Sequence, residues 1–133
     1  MTHSDCLFCR IVAGELPAKQ IYSDDASIAF LDISPWQEGH TLVVPRRHVS
    51  DVLADRTILA EIAPAIFKVG NLLKQRLGAT ACNILTNAGA DSGQEVFHVH
   101  AHLLPRYADS PGMANLKNQG QWDLDELHSR LTA

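Results

Sequence analysis

The stretch VFHVHAHLLP, residues 96–105, constrains the fold more than any other part of this chain. His98, His100 and His102 fall at every second position, and Val99, Ala101 and Leu103 fill the gaps. Alternation with a period of two marks a β-strand, whose successive side chains point to opposite faces. The segment reads as the last long strand of a sheet, with three imidazoles on one face and small apolar side chains packed against a helix on the other. Same-face positions recur about every 6.6 Å, which sets the outer two histidines about 13 Å apart. Three rings so spaced do not close easily on one zinc ion, whose ligands lie about 2.1 Å away, but two of them could. The row is therefore divided among roles, with metal ligation and chemistry on a substrate both open to it.

The helix to cover the apolar face is ILAEIAPAIFKVGNLLKQRLG. Its Ile58, Ile62, Ile66, Val69, Leu73 and Leu77 recur at intervals of three and four, and Gly78 stands as a stop. Pro64 is the flaw in that pattern, since it should start a helical segment or kink one. Upstream, CLFCRIVAGE predicts a short helix that ends at Gly14, with Pro17 preventing its resumption. Ser27 to Leu31 (SIAFL) reads as a strand followed by a turn in DISPWQEG, and HTLVVP as a strand ending at Pro45. CNILTN is another strand and NAGADSGQ a glycine-rich loop. Beyond Tyr107 the chain reads as loop until DLDELHSRL, where Leu124, Leu127 and Leu131 allow a short C-terminal helix. Strands in succession around one dominant helix predict an α+β domain with a mainly antiparallel sheet.

A chain of 133 residues makes one domain, and 46% apolar with 20% charged residues suits a globular fold rather than a disordered one. A net charge of −4 gives no basic footprint, so nucleic acid is not a favoured partner. A small phosphorylated ligand needs only local donors. The N-terminus lacks the basic and apolar regions of a signal peptide, and no apolar run reaches membrane-spanning length. Three cysteines, Cys6, Cys9 and Cys82, form an odd set that suits a reduced, cytoplasmic protein. Cys82, inside ACNILT, reads as a small buried hydrophobe.

A neutral imidazole is a good nucleophile towards phosphorus, and near pH 7 roughly three-quarters of an unperturbed histidine is neutral. A neighbouring histidine can donate a hydrogen bond to a phosphate oxygen. The preceding loop, NAGADSGQE, brings glycines that let backbone N–H groups approach an anion, with Asn87, Ser92 and Gln94 as side-chain donors.

The run GQEVFHVHAHLLPR closely resembles the signature of the histidine triad (HIT) family, three histidines separated by apolar residues and preceded by Gly-Gln. The resemblance continues through CLFCRIVAGELPAKQIYSDD, AFLDISP and GHTLVVPRRHVS, which look like the N-terminal half of the Hint-type branch. It covers roughly residues 5–106, leaving a less typical tail over 107–133. It implies an α+β fold with a sheet of about five antiparallel strands, one long and one short helix, and a sheet continued across a homodimer. It also implies a purine-nucleotide ligand and cleavage between the α-phosphate and a leaving group, commonly the amine of a nucleoside phosphoramidate. By motif position, His100 resembles the nucleophile that forms a nucleotidyl-imidazole intermediate. His102 would hold a phosphate oxygen or help the leaving group. Asn87 and Gln94 match phosphate-site positions, and Asp32 matches the carboxylate that accepts hydrogen bonds from the ribose hydroxyls. Leu7, Phe8, Ile11, Phe30 and Ile33 match an apolar clamp around the base, although each would serve equally as ordinary core.

One departure stands out. Hint-type relatives carry Ser, and diadenosine-polyphosphate hydrolases of the family Thr, where this chain has Glu95. A hydroxyl there donates to the phosphate, whereas an ionised carboxylate repels it and either turns away or assists a leaving amine. A diadenosine-polyphosphate hydrolase and a nucleotide-binding interaction module with little turnover therefore stay open beside the phosphoramidase reading. So does a metalloenzyme that uses the histidine row as an open zinc site. Cys6 and Cys9 form a C-x-x-C pair, and zinc sites in relatives place their histidines like His48 and His98, which implies a closed Cys₂His₂ structural zinc. A redox role for the pair lacks the βαβ context it would need, and packing without metal is the remaining alternative. His3, His40 and His128 have no evident partner and read as surface or satisfied structural residues. Trp36 and Trp122 read as packing residues, with a C-terminal Trp near a dimer-related pocket as a second possibility.

Overall fold

The computed structural model describes residues 5–110, 112 and 120–132. The elements run α1 (Leu7–Val12), β1 (Gln20–Ser23), β2 (Ser27–Leu31), β3 (Thr41–Pro45), α2 (Ile58–Leu77), β4 (Ala81–Thr86), a 3₁₀ turn at Ala90–Ser92, β5 (Ala101–Arg106) and α3 (Leu124–Thr132). The five strands form one antiparallel sheet in the order β1-β2-β3-β5-β4. The α+β architecture and the five-stranded sheet are those expected. Two short helices, α1 and α3, accompany the long one where the family resemblance implied a single short helix.

β1 is an addition to the sequence reading. Four residues are too few for an alternation to show, and the strand owes its place to the turn that follows. The Asp24 carboxylate accepts from the backbone N–H of Ala26 (2.9 Å) and Ser27 (2.8 Å), folding β1 back on β2.

Helix α2 begins at Ile58 and continues through Pro64, so the proline does not start the helical segment. A mid-helix proline costs about 3 kcal/mol. Burying Ile58, Ile62, Val69 and Leu73 along one stripe returns roughly 6–12 kcal/mol, and Pro64 lies on the exposed side. Packing wins. The helix ends as expected at Gly78, in a left-handed conformation whose N–H reaches the Lys74 carbonyl at 3.1 Å.

Two apolar layers flank the sheet. Ala29, Val43, Ala101 and Leu103 pack with Val99 against α2 on one face. Phe8 of α1 packs with Ile28, Phe30, Leu42 and Val44 on the other. Cross-strand pairing sets Phe30 opposite Leu42, Leu42 opposite His102, and His102 opposite Leu85. This row carries the third histidine into the face that α1 covers.

The last strand begins later than the alternation predicts, at Ala101 rather than at the first histidine. Pro45, at the end of β3, has no N–H to extend the ladder. Its carbonyl is taken instead by Nε2 of His98 at 2.8 Å. The carbonyls of His98 and His100 likewise accept from side chains, His100 Nδ1 (2.8 Å) and Thr86 Oγ1 (2.7 Å). Residues 98–100 are thus held by side-chain hydrogen bonds without being part of the strand.

Candidate functional site

α1 is capped at its start by Cys6, whose Sγ accepts from the backbone N–H of Cys9 at 3.4 Å. One helical turn brings the two thiols together against the segment that precedes β5. Nδ1 of His98 lies 3.5 Å from both sulfurs, and Nδ1 of His48 lies 3.3 Å from that of Cys9. All four ligand atoms fall within 4.8 Å of one another. A tetrahedral zinc with arms of about 2.1–2.3 Å has ligand–ligand edges of roughly 3.4–3.8 Å, which these spacings match. The tautomer of His98 matches too. Its Nε2 donates to the Pro45 carbonyl, so Nδ1 presents a lone pair to the thiols, the usual outer support of a metal-binding imidazole. The donor set fits a structural zinc with no open coordination position.

The other two members of the row face a cavity of about 440 Å³ beneath α1. His100 Nδ1 donates to the His98 carbonyl at 2.8 Å, which leaves Nε2 as the nitrogen with a free lone pair. Phe8 meets this ring in a T-shaped contact, 5.0 Å between centroids at 88°. Burial holds His100 below the ordinary histidine pKa, against the opposing pull of the His98 carbonyl and the Asp32 charge. The ring is neutral near pH 7.

His102 is oriented by a chain of donors. The backbone N–H of Trp36 donates to Nδ1 of His40 at 3.1 Å. A neutral His40 then carries its proton on Nε2, which lies 2.9 Å from Nδ1 of His102. His102 must accept there, so its own N–H is on Nε2. His102 is pushed down to about 4 by burial first, then by the His100 and His40 rings, with Asp32 opposing. Burial lowers His40 as well. Two neutral imidazoles thus stand side by side, 4.9 Å between centroids, one with a basic nitrogen to offer and its neighbour with an N–H.

Of the two readings open to His40, surface residue or satisfied structural residue, the fold takes the second: it is buried and hydrogen-bonded to His102. The turn into it requires Gly39, which has φ +86°, and whose added Cβ would come 2.6 Å from Leu77 Cδ1. Trp36, read as a packing residue, lines the cavity and stacks on His102, 4.9 Å between centroids at 14°. His128 is exposed, as is Trp122, and His3 lies outside the described residues.

The residues picked for nucleotide contact divide into two groups. Leu7, Phe8, Ile11, Phe30, Asp32, Ile33 and Glu95 all line the cavity with His100 and His102. Phe8 and Phe30 are also core residues, whereas Ile33 is 94% exposed and has no packing role. Gln94 does not line the cavity. It is 4% exposed, and its amide is fully committed: Nε2 donates to the carbonyls of Ser50 (2.7 Å) and Val96 (3.1 Å), and Oε1 accepts from the N–H of Gly89 (2.8 Å). In this arrangement it braces the loop and offers no donor to a ligand. Asn87 is likewise not among the cavity-lining residues; its Nδ2 lies 3.7 Å from where a Cβ on Gly93 would stand.

Comparison with known proteins agrees with this geometry. A sequence model described as the HIT domain matches residues 13–109. An uncharacterized HIT-like protein of Methanocaldococcus jannaschii is 42% identical over 124 residues, spanning 92% of this chain and 95% of that protein. Adenylylsulfatase HINT3 of Arabidopsis thaliana is 34% identical over 104 residues, spanning 77% of this chain and 53% of that protein. The crystal structure of a histidine triad nucleotide-binding protein from Candida albicans superposes with a TM-score of 0.79 at 31% identity, covering 96% of this chain and 94% of that one. With His102 on β5 and His98 and His100 on the segment just before it, the chain belongs to the histidine triad family.

Proposed function

We propose that this protein is a nucleotide-binding hydrolase or nucleotidyl transferase that works through a transient nucleotidyl-histidine on His100. The observation that carries the reading is the bond from His100 Nδ1 to the His98 carbonyl, because it leaves Nε2 unprotonated beside the cavity. The substrate is a purine nucleoside phosphoramidate or a related ester. Its base lies between Phe8, Phe30 and the exposed Ile33, and its ribose hydroxyls donate to Asp32. The Nε2–H of His102 stabilises a phosphate oxygen. His100 attacks the α-phosphorus, the leaving group departs, and water cleaves the phosphorus–nitrogen bond to the ring, so one hard displacement becomes two easier ones. The nucleotide-binding relative from Candida albicans supports the choice of ligand, and the adenylylsulfatase from Arabidopsis supports cleavage at an adenosine α-phosphate.

The test is mass spectrometry of protein quenched during turnover of an adenosine phosphoramidate. A nucleotide adduct on a peptide containing His100 is expected, and His100→Ala should keep the fold and bind AMP but lose turnover by several orders of magnitude. Full turnover by that variant ends the proposal.

Two further assignments complete it. Zinc held by Cys6, Cys9, His48 and His98 would pin α1 to the segment that carries His100. β4 lies at one edge of the sheet and exposes its Ile84, and α2 exposes Phe67, a surface suited to continuing the sheet into a second copy. Phe67→Glu should convert a dimer into a monomer by light scattering, and an unchanged mass would exclude this interface. The unbridged thiols suit a reduced, cytoplasmic setting.

A further inference from the structure

Among the described residues, the cavity lining is short of positive charge. Two carboxylates, Asp32 and Glu95, line it with His100 and His102, and among the described residues no lysine or arginine does. Asp32 lies close enough to His40 and His102 for all three to offer ligand atoms within 4.8 Å, so one carboxylate is built into the histidine network. Glu95 is different. It is exposed at the cavity wall, and it makes no hydrogen bond or ion pair with any described residue. Its neighbour Gln94 is anchored by three hydrogen bonds, so the backbone that carries Glu95 is fixed where it stands.

An unpaired carboxylate beside a phosphate site repels an anionic leaving group and attracts a cationic one. A polyphosphate leaving group would bring several negative charges to a wall that carries only more of them. Resting on the reaction proposed above, we infer that Glu95 is a specificity-determining residue that receives an ammonium group carried by the leaving amine. The preferred substrates are nucleoside phosphoramidates of diamines or similarly cationic amines. The step balances without any co-reactant. His100 Nε2 bonds to phosphorus as the bond to the amine nitrogen breaks, and that nitrogen keeps the electron pair and takes a proton from solvent. Water then releases the nucleoside monophosphate and frees the ring. Glu95 holds the second, distal ammonium throughout and exchanges no proton.

The experiment compares kcat/KM for adenosine phosphoramidates of ethylenediamine, ethylamine and glycine, which end in a cation, a neutral methyl and an anion. Diadenosine tetraphosphate with magnesium is a fourth arm. Wild-type protein should prefer them in that order, with roughly tenfold or more between the ends and a spread that shrinks as salt rises. Glu95→Gln should bring the three phosphoramidates to within about threefold, and Glu95→Asp should keep the order. An unchanged order in Glu95→Gln, no order in wild type, or preference for the dinucleotide would overturn the inference while leaving the nucleotidyl-histidine intact. No turnover of any arm, with no adduct on His100, would overturn the reaction itself and this inference with it.

Discussion

Nε2 of His40 lies 2.9 Å from Nδ1 of His102, with both rings buried, and that contact decides which edge of His102 meets a ligand. The decision originates in a backbone group. The N–H of Trp36 can only donate, so His40 Nδ1 must accept, and the remaining proton positions follow along the chain of donors. A histidine outside the alternating row therefore sets the chemistry of one inside it.

Removing that donor should show it. In His40→Ala, His102 is released to take the other tautomer and to turn an acceptor towards the phosphate. We expect kcat for phosphoramidate turnover to fall about ten- to a hundredfold with KM little changed. His40→Gln, whose amide can still donate, should recover part of the loss. Nitrogen chemical shifts of His102 give the tautomer directly, and an unchanged tautomer in His40→Ala would refute the argument whatever the kinetics.

The same burial makes stability depend on pH. An unfolded histidine titrates near pH 6.5, whereas His102 in the fold does so at about 4. Its contribution is complete above about pH 6.5 and is lost as pH falls through about 4, because the unfolded chain takes up the proton first. The full effect is on the order of 3 kcal/mol for His102, and His40 and His100 shift in the same direction. Urea midpoints measured at about pH 7.5 and pH 5 should drop accordingly, and His102→Asn should flatten the trend. A wild-type midpoint indifferent to pH over that window would contradict the burial of these rings.

The parts of this site that were legible in the sequence are those that depend on local periodicity. Alternation separated Val99, Ala101 and Leu103 from the histidines, and the packing of all three against α2 follows that division. The three-and-four spacing located α2, and Cys6 and Cys9 one helical turn apart were visible as a ligand pair. Pairing was not legible. His40 lies two residues ahead of Leu42, but its neighbourhood emerges only once Leu42 is known to stand opposite His102. The late start of β5 has a similar origin, since it depends on β3 ending in a residue without an N–H. Trp36 was obscured because its stacking partner is 66 positions away in the chain.

Gln94 separates a bracing role from a ligand role. Its amide makes three hydrogen bonds to backbone groups, and Gln94→Ala would leave the carbonyls of Ser50 and Val96 and the N–H of Gly89 to find other partners. Unsatisfied buried polar groups cost about 1–3 kcal/mol each, part of which water recovers at this loop. We expect Gln94→Ala to lose roughly 2–3 kcal/mol in chemical denaturation. AMP affinity, measured where the variant is still folded, should change less than about threefold. A large loss of affinity with unchanged stability would assign Gln94 to the phosphate instead.

The thiol pair and the proposed nucleophile are coupled through one residue. His98 turns Nδ1 to Cys6 and Cys9, Nε2 to Pro45, and its carbonyl to His100 Nδ1. Whatever fixes His98 therefore fixes the ring of His100, the proposed nucleophile. Metal analysis of purified protein should give close to one zinc per chain, and Cys9→Ser should abolish it. That variant should melt roughly 10 °C lower, since a closed Cys₂His₂ site contributes its binding energy to folding. Its kcat should fall together with its melting temperature, because a loosened His98 carbonyl no longer holds His100 in the productive tautomer. Cys82→Ser, remote from the cluster, controls for loss of a thiol as such. Zinc-free wild-type protein that keeps both its melting temperature and its kcat would show that hydrogen bonds alone hold His98 in place.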